Sequence, residues 1–222
     1  MKKYQSLIYC LIIFLGVALS GAAFAETAPS EVLSAADAGL FPFLEELPSS
    51  EWEHFGFAPE DKISDARLGN PFHLYTIIPS ALLNAKADTP VNTLITPTGL
   101  WYFPVMIENQ AKTILVVDKM QNGWEAVSLG MAPLVRELQK LKRQWSKAKG
   151  YNPKLVAIFQ ASAFFFTIPE KDSNNFTSLI FDGIGYGGYY QKSGPEYSST
   201  TTLSQMLKSL QAEVEKNINL KQ

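Results

Sequence analysis

Hydrophobic and polar positions change period several times along this chain of 222 residues, and each change marks an element. Residues 100–107, 113–118 and 124–129 are dense in β-branched and aromatic side chains, which predicts three strands. Glu108-Asn109-Gln110 and Gln121-Asn122-Gly123 separate them, so the three runs form an antiparallel meander. Asn122-Gly123 suits the positive φ angles of a tight hairpin. After Gly130 the period lengthens. Leu134, Val135, Leu138, Leu141 and Trp145 recur on one helical face, with Pro133 near the first turn. Arg136, Lys140, Lys142 and Arg143 take the rest of the surface, as expected of a helix with one side to bury against a sheet.

The same reading extends outward. Residues 154–160, 163–168 and 178–181 predict strands. Leu203, Met206, Leu207, Leu210 and Val214 predict a final amphipathic helix capped by Thr202. Upstream, residues 72–78 predict a strand that Pro79 ends. Ser80 then caps a short helix over 81–87. Residues 59–68 predict a helix with Glu60 and Asp61 in its first turn and Gly69 as its stop. Residues 31–38 predict a short helix ending at Gly39, after which Pro42 and Pro48 break regular structure.

Strands come in runs, with helices between only some of them. The fold class is therefore α+β: a mostly antiparallel sheet around the central β-meander, with amphipathic helices packed on it. No internal repeat emerges from the sequence. Trp101-Tyr102-Phe103 and Phe164-Phe165-Phe166 place aromatic side chains on both faces of a sheet. Either helices cover both faces, or one aromatic face is left for a ligand or partner.

Between Phe103 and Phe159 the apolar strand residues are Pro104-Val105-Met106-Ile107, Ile114-Leu115-Val116-Val117 and Ala126-Val127-Ser128-Leu129. They are followed by the helix at 134–141 and by residues 155–159. This stretch resembles one repeat of the Tic22-like family, a strand-strand-strand-helix-strand unit. The resemblance covers about a quarter of the chain and has no counterpart for that family's second repeat. It implies a periplasmic chaperone or transport accessory.

The start of the chain gives a compartment. Lys2 and Lys3 precede an apolar run from Leu7 to Leu19, and Ala23-Phe24-Ala25 supplies a small-x-small pattern before Glu26. Residues 1–25 read as a cleavable signal peptide, residues 26–50 as a partly mobile lead-in segment, and residues 51–222 as one α+β domain. Cleavage near Ala25 removes Cys10, the only cysteine, and with it any disulfide, thiolate nucleophile or cysteine-ligated metal. An uncleaved run would instead anchor a membrane-tethered scaffold.

Nineteen basic residues against 21 acidic ones give a formal net charge of −2, and loss of Lys2 and Lys3 makes the chain more acidic. No electrostatic footprint for nucleic acid follows. The cationic run Lys140, Lys142, Arg143, Lys147, Lys149 and Lys154 reads as the solvated side of the amphipathic helix, or as a patch for an acidic partner or an anionic lipid surface.

Candidate chemistry is sparse. Gly183-Ile184-Gly185-Tyr186-Gly187-Gly188 satisfies G-x-G-x-x-G, but Tyr189-Tyr190-Gln191-Lys192-Ser193-Gly194-Pro195 is no helix on which to seat a pyrophosphate. Tyr186, Tyr189, Tyr190 and Tyr197, together with Trp101, are the candidate ligand-binding residues, because clustered aromatics combine apolar area with polar tips. His54 and His73 lack a nucleophile or a metal-ligand spacing and read as structural or surface residues. The acidic turn Glu170-Lys171-Asp172-Ser173-Asn174-Asn175 lacks the glycine and terminal glutamate of a calcium loop. No cofactor or metal is implied.

These features predict an exported, periplasmic or secreted, non-enzymatic accessory or binding protein of the bacterial cell envelope. Its partner is an envelope protein or a small ligand, not nucleic acid. With the signal removed it has no stable membrane span. The alternative is a secreted hydrolase with an unrecognised carboxylate site. A pocket holding two carboxyls of raised pKa marks the enzyme, and a wide apolar groove marks the binder.

Overall fold

The structure is a computed structural model, and it describes residues 27–145, 151, 153–161, 163–169, 176–181 and 200–219. The fold is mixed α+β. The strands are β1 (Arg67–Leu68), β2 (Phe72–Ile77), β3 (Ile95–Ile107), β4 (Gln110–Met120), β5 (Gly123–Gly130), β6 (Lys154–Ile158), β7 (Ala163–Pro169), β8 (Phe176–Phe181) and β9 (Thr200–Thr202). The helices are α1 (Ser30–Glu45), α2 (Pro79–Asn84), α3 (Ala132–Gln144) and α4 (Leu203–Asn219). All nine strands share one sheet, in the order β5-β4-β3-β2-β6-β7-β8-β9, with β1 pairing β3 beyond the end of β2. Every pairing is antiparallel except β2 with β6. The expected meander is β3-β4-β5.

Alternation along the strands sorts the core into two faces. On β2, Leu74 points one way and Tyr75 and Ile77 the other; on β7, Phe164 and Phe166 oppose Phe165. The first face is covered by α3 through Leu134, Val135, Leu138 and Leu141. The second is covered twice. Leu203, Leu207, Leu210 and Val214 of α4 pack over Val156 and Phe165, and Val32, Ala36, Leu40 and Leu44 of α1 pack over Trp101, Phe103 and Val117. Both aromatic triplets are thus buried on both sides of the sheet.

The strand order hides a repeat. Outward from the parallel pair β2 and β6, one half runs β2-β3-β4-β5 and ends in α3. The other runs β6-β7-β8-β9 and ends in α4. The two helices lie on opposite faces. This is the relation expected of an approximate two-fold axis running along the strands between β2 and β6. The sequence predicted no repeat, because what recurs is the order and facing of elements, not residue identities. The strand-strand-strand-helix-strand unit expected from the resemblance is present as β3-β4-β5-α3-β6.

Several local expectations are corrected. The first helix does not stop at Gly39. It continues to Glu45 with Pro42 inside it, because apolar positions 32, 36, 40 and 44 keep one face against the sheet. The segment expected as a partly mobile lead-in therefore contributes a helix to the core. Residues 59–68 form no helix; the Asp61 carboxylate folds back on the amide of Ala58 at 2.7 Å, and the chain proceeds through a 3-10 turn at Ile63–Asp65 into β1. The helix expected after Ser80 starts at Pro79, whose fixed φ suits the first helical position, with Ile78 flanking it. Among the described residues, no helix is long and apolar enough to cross a membrane.

Candidate functional site

Trp101 is the one candidate binding residue that falls within the described residues. It lies on β3 facing α1 and is only 3% exposed. The His73 imidazole of β2, its cross-strand neighbour, stacks on the indole with ring centroids 4.4 Å apart and planes 5° apart. His73 Nε2 lies 2.6 Å from the carbonyl oxygen of Thr98. A carbonyl only accepts, so Nε2 carries the proton and donates. Thr98 in turn donates its hydroxyl to the Leu74 carbonyl at 2.7 Å. Tyr75 continues the row, 5.2 Å from His73, and the Lys154 ammonium sits 4.1 Å from the centre of the Tyr75 ring. This row ties β3, β2 and β6 together across the sheet. Its imidazole proton is committed to a main-chain carbonyl, which is a structural arrangement.

The four tyrosines at 186, 189, 190 and 197 lie outside the described residues, as do the glycine-rich loop, the acidic turn at 170–175 and Cys10. His54 is exposed and meets Phe55 edge to face at 5.5 Å. Among the described residues, no group of three or more His, Cys, Asp or Glu side chains could hold a metal ion.

The surface features that sequence reasoning did not single out come from the segment between α1 and β1. That segment crosses the sheet end near the start of β4 and is pinned there by a nearly buried ion pair. Lys112 Nζ on β4 lies 2.9 Å from Asp61 Oδ1, with the two side chains 13% and 9% exposed. Gly56, at φ +87°, lets the backbone pass over β4; a β-carbon there would stand 2.4 Å from the Lys112 carbonyl oxygen.

Two clefts open along this segment. One, of about 570 Å³, lies between Trp52, Phe57, Pro59 and the exposed Arg136 of α3. The other, of about 480 Å³, is walled by Phe43, Leu47 and Phe55 on one side and by Val127 and Leu129 of β5 on the other. The exposed carboxylates Glu46 and Glu51 border the second cleft. Val127 is itself 38% exposed. The apolar run Phe41-Pro42-Phe43-Leu44 lies in α1 at the end of the segment expected as a lead-in. Its position beside β5, more than eighty residues later, comes only from the packing of α1 on the sheet.

Comparison with protein families, with curated proteins and with solved structures found no match to this chain.

Proposed function

We propose that this chain is an exported, non-enzymatic accessory or binding protein of the bacterial cell envelope. The observation that carries this reading is the cleft between α1 and β5: mainly apolar walls, an exposed valine and two solvated carboxylates, set against the rim of a fully packed sheet. Such a surface supports the reading of a protein that holds another molecule. Both carboxylates are exposed to solvent. The sequence supports export through Lys2, Lys3, the apolar run and Ala23-Phe24-Ala25.

The test is fractionation of cells expressing the full chain, followed by N-terminal sequencing. Recovery from the periplasm or medium with Glu26 at the N-terminus supports the reading. Full-length chain in the cytosol or membrane overturns the export part. A hydrolytic activity lost on replacing carboxylates would overturn the non-enzymatic part.

A second reading, a Tic22-like periplasmic chaperone or transport accessory, gains support from one observation. The order β3-β4-β5-α3-β6 matches the unit expected from the sequence, and its strand-strand-strand-helix part recurs as β7-β8-β9-α4. It predicts that the purified protein keeps an unfolded outer-membrane protein soluble at stoichiometric ratios. Aggregation at the control rate would remove it.

A further inference from the structure

The two ends of the sheet differ. At one end β9 spans Thr200–Thr202, three residues. At the other, β5 has eight and, among the described residues, pairs only with β4. Among those residues no strand bonds the outward-facing half of its amides and carbonyls. Protected edges carry lysines, prolines or covering elements. β5 contains neither Lys nor Pro. It has instead a bulge: Val116 pairs with Ser128 and Val117 with Ala126, so Val127 is the extra residue. A bulge re-aims a side chain and limits continuous pairing to short stretches. Here it places Val127 at the mouth of the cleft walled by Phe43, Leu47, Phe55 and Leu129.

Around the cleft the charge is acidic, while at the hairpin end of the edge the Lys119 ammonium sits 6.0 Å from the centre of the Trp124 ring. Glu46 and Glu51 line the cleft, and Glu45 and Glu125 are exposed nearby in sequence on α1 and β5. None of the four has an ion-pair partner among the described residues. The outward main-chain groups of β5 call for an extended strand, the adjoining cleft for an apolar side chain, and the cleft carboxylates Glu46 and Glu51 for basic ones.

We propose that the open edge of β5 and the cleft beside it dock an extended peptide segment of alternating apolar and basic residues, which adds to the sheet as a further strand. This rests on the reading of the protein as a binder and names the chemistry of its partner. The bulge makes the site selective: pairing is short, so an apolar anchor in the cleft and the acidic border supply much of the discrimination.

The test uses the purified protein and a fluorescently labelled, end-blocked nonapeptide alternating valine and lysine, followed by anisotropy. A peptide of the same composition plus two central prolines is the control. The expected result is saturable binding that weakens as salt is raised, with no binding of the proline peptide. Val127→Arg, which fills the cleft mouth with a like charge, should weaken binding at least tenfold. So should the pair Glu46→Lys and Glu51→Lys, which lies off the strand and should leave the melting temperature unchanged.

Equal binding of the proline peptide, or unchanged binding by both variants, would overturn the proposal. So would a dimer of the wild type that Val127→Arg converts to monomer, since a second copy would then occupy the edge. The two readings fail separately. Periplasmic export with no peptide binding sinks only the docking site, whereas peptide binding by a chain retained in the cytosol sinks only the envelope assignment.

Discussion

Gly39 of α1 and Ala126 of β5 meet so closely that a β-carbon built on the glycine would stand 2.2 Å from the β-carbon of Ala126. The glycine is therefore a contact residue within the helix, where the sequence suggested a stop. Two effects oppose each other in Gly39→Ala. Alanine favours the helix by about 0.5–1 kcal/mol. The clash, in a place where two backbones already touch, costs about 1–3 kcal/mol. The clash should win, and urea unfolding should show net destabilisation. Ala126→Gly in the same background should recover much of the loss, giving a non-additive double-mutant cycle. Additive effects would mean that the two residues do not press on each other.

The ion pair of Lys112 and Asp61 holds the segment beneath the clefts. Both side chains are nearly buried, so removing one partner strands a charge with little water around it. Asp61→Ala should cost about 3 kcal/mol, the lower end for a buried pair broken on one side. It also releases the Ala58 amide. Lys112→Met with Asp61→Leu should cost less than Asp61→Ala alone, because no charge is left behind. Denaturant midpoints of the three variants decide it. A smaller loss in Asp61→Ala than in the double variant would show that solvent reaches the pair.

The β4–β5 hairpin shows where reading by residue type falls short. Asn122-Gly123 was expected to take two positive φ angles, but only Gly123 does, at +133°. The paired positive angles sit instead at Glu108 and Asn109, at 52° and 79°, in the turn between β3 and β4. Asn122→Ala should therefore stay within about 0.5 kcal/mol of wild type, as surface changes do. Gly123→Ala meets nothing within 4 Å, so its cost is conformational alone, about 1–3 kcal/mol. Thermal melts of the two variants separate these outcomes. A larger loss at Asn122 would restore the original expectation.

Periodicity carried the parts of the fold that local pattern dictates. The meander, the buried stripe of α3 at Leu134, Val135, Leu138 and Leu141, and that of α4 were all readable before any contact was known. Three kinds of feature were not. Alanines at 28 and 36 counted for little in the hydrophobic pattern, yet both are buried in the cluster where α1 packs on the sheet. The Asp61 turn was hidden because the same acidic residues that suit a helix start also suit a turn. The duplication was hidden because it lives in element order. The candidate site shares the third difficulty: Phe43 and Val127 carry no signal individually, and their cleft exists only once the helix is laid against the strand.

Gln211 ties α4 to α2, which packs in the same apolar cluster. Its side-chain nitrogen lies 3.0, 3.3 and 3.2 Å from the carbonyl oxygens of Leu82, Leu83 and Ala85. The Leu82 carbonyl also accepts the Ala85 amide at 3.1 Å, and Leu83 belongs to the last turn of α2, a helix of six residues that cannot hold itself. An amide nitrogen carries two hydrogens, so the three carbonyls share them. Gln211→Leu keeps the volume but removes the donor, leaving carbonyls in a part-buried place at a cost of about 1–3 kcal/mol. The effect should be local first. Hydrogen exchange should accelerate in residues 79–85 while the meander β3-β4-β5 keeps its protection, because α2 is the weakly held unit. Uniform acceleration across the sheet would show that α2 and the core open together. Unchanged exchange at 79–85 would show that water satisfies the carbonyls as well as Gln211 does.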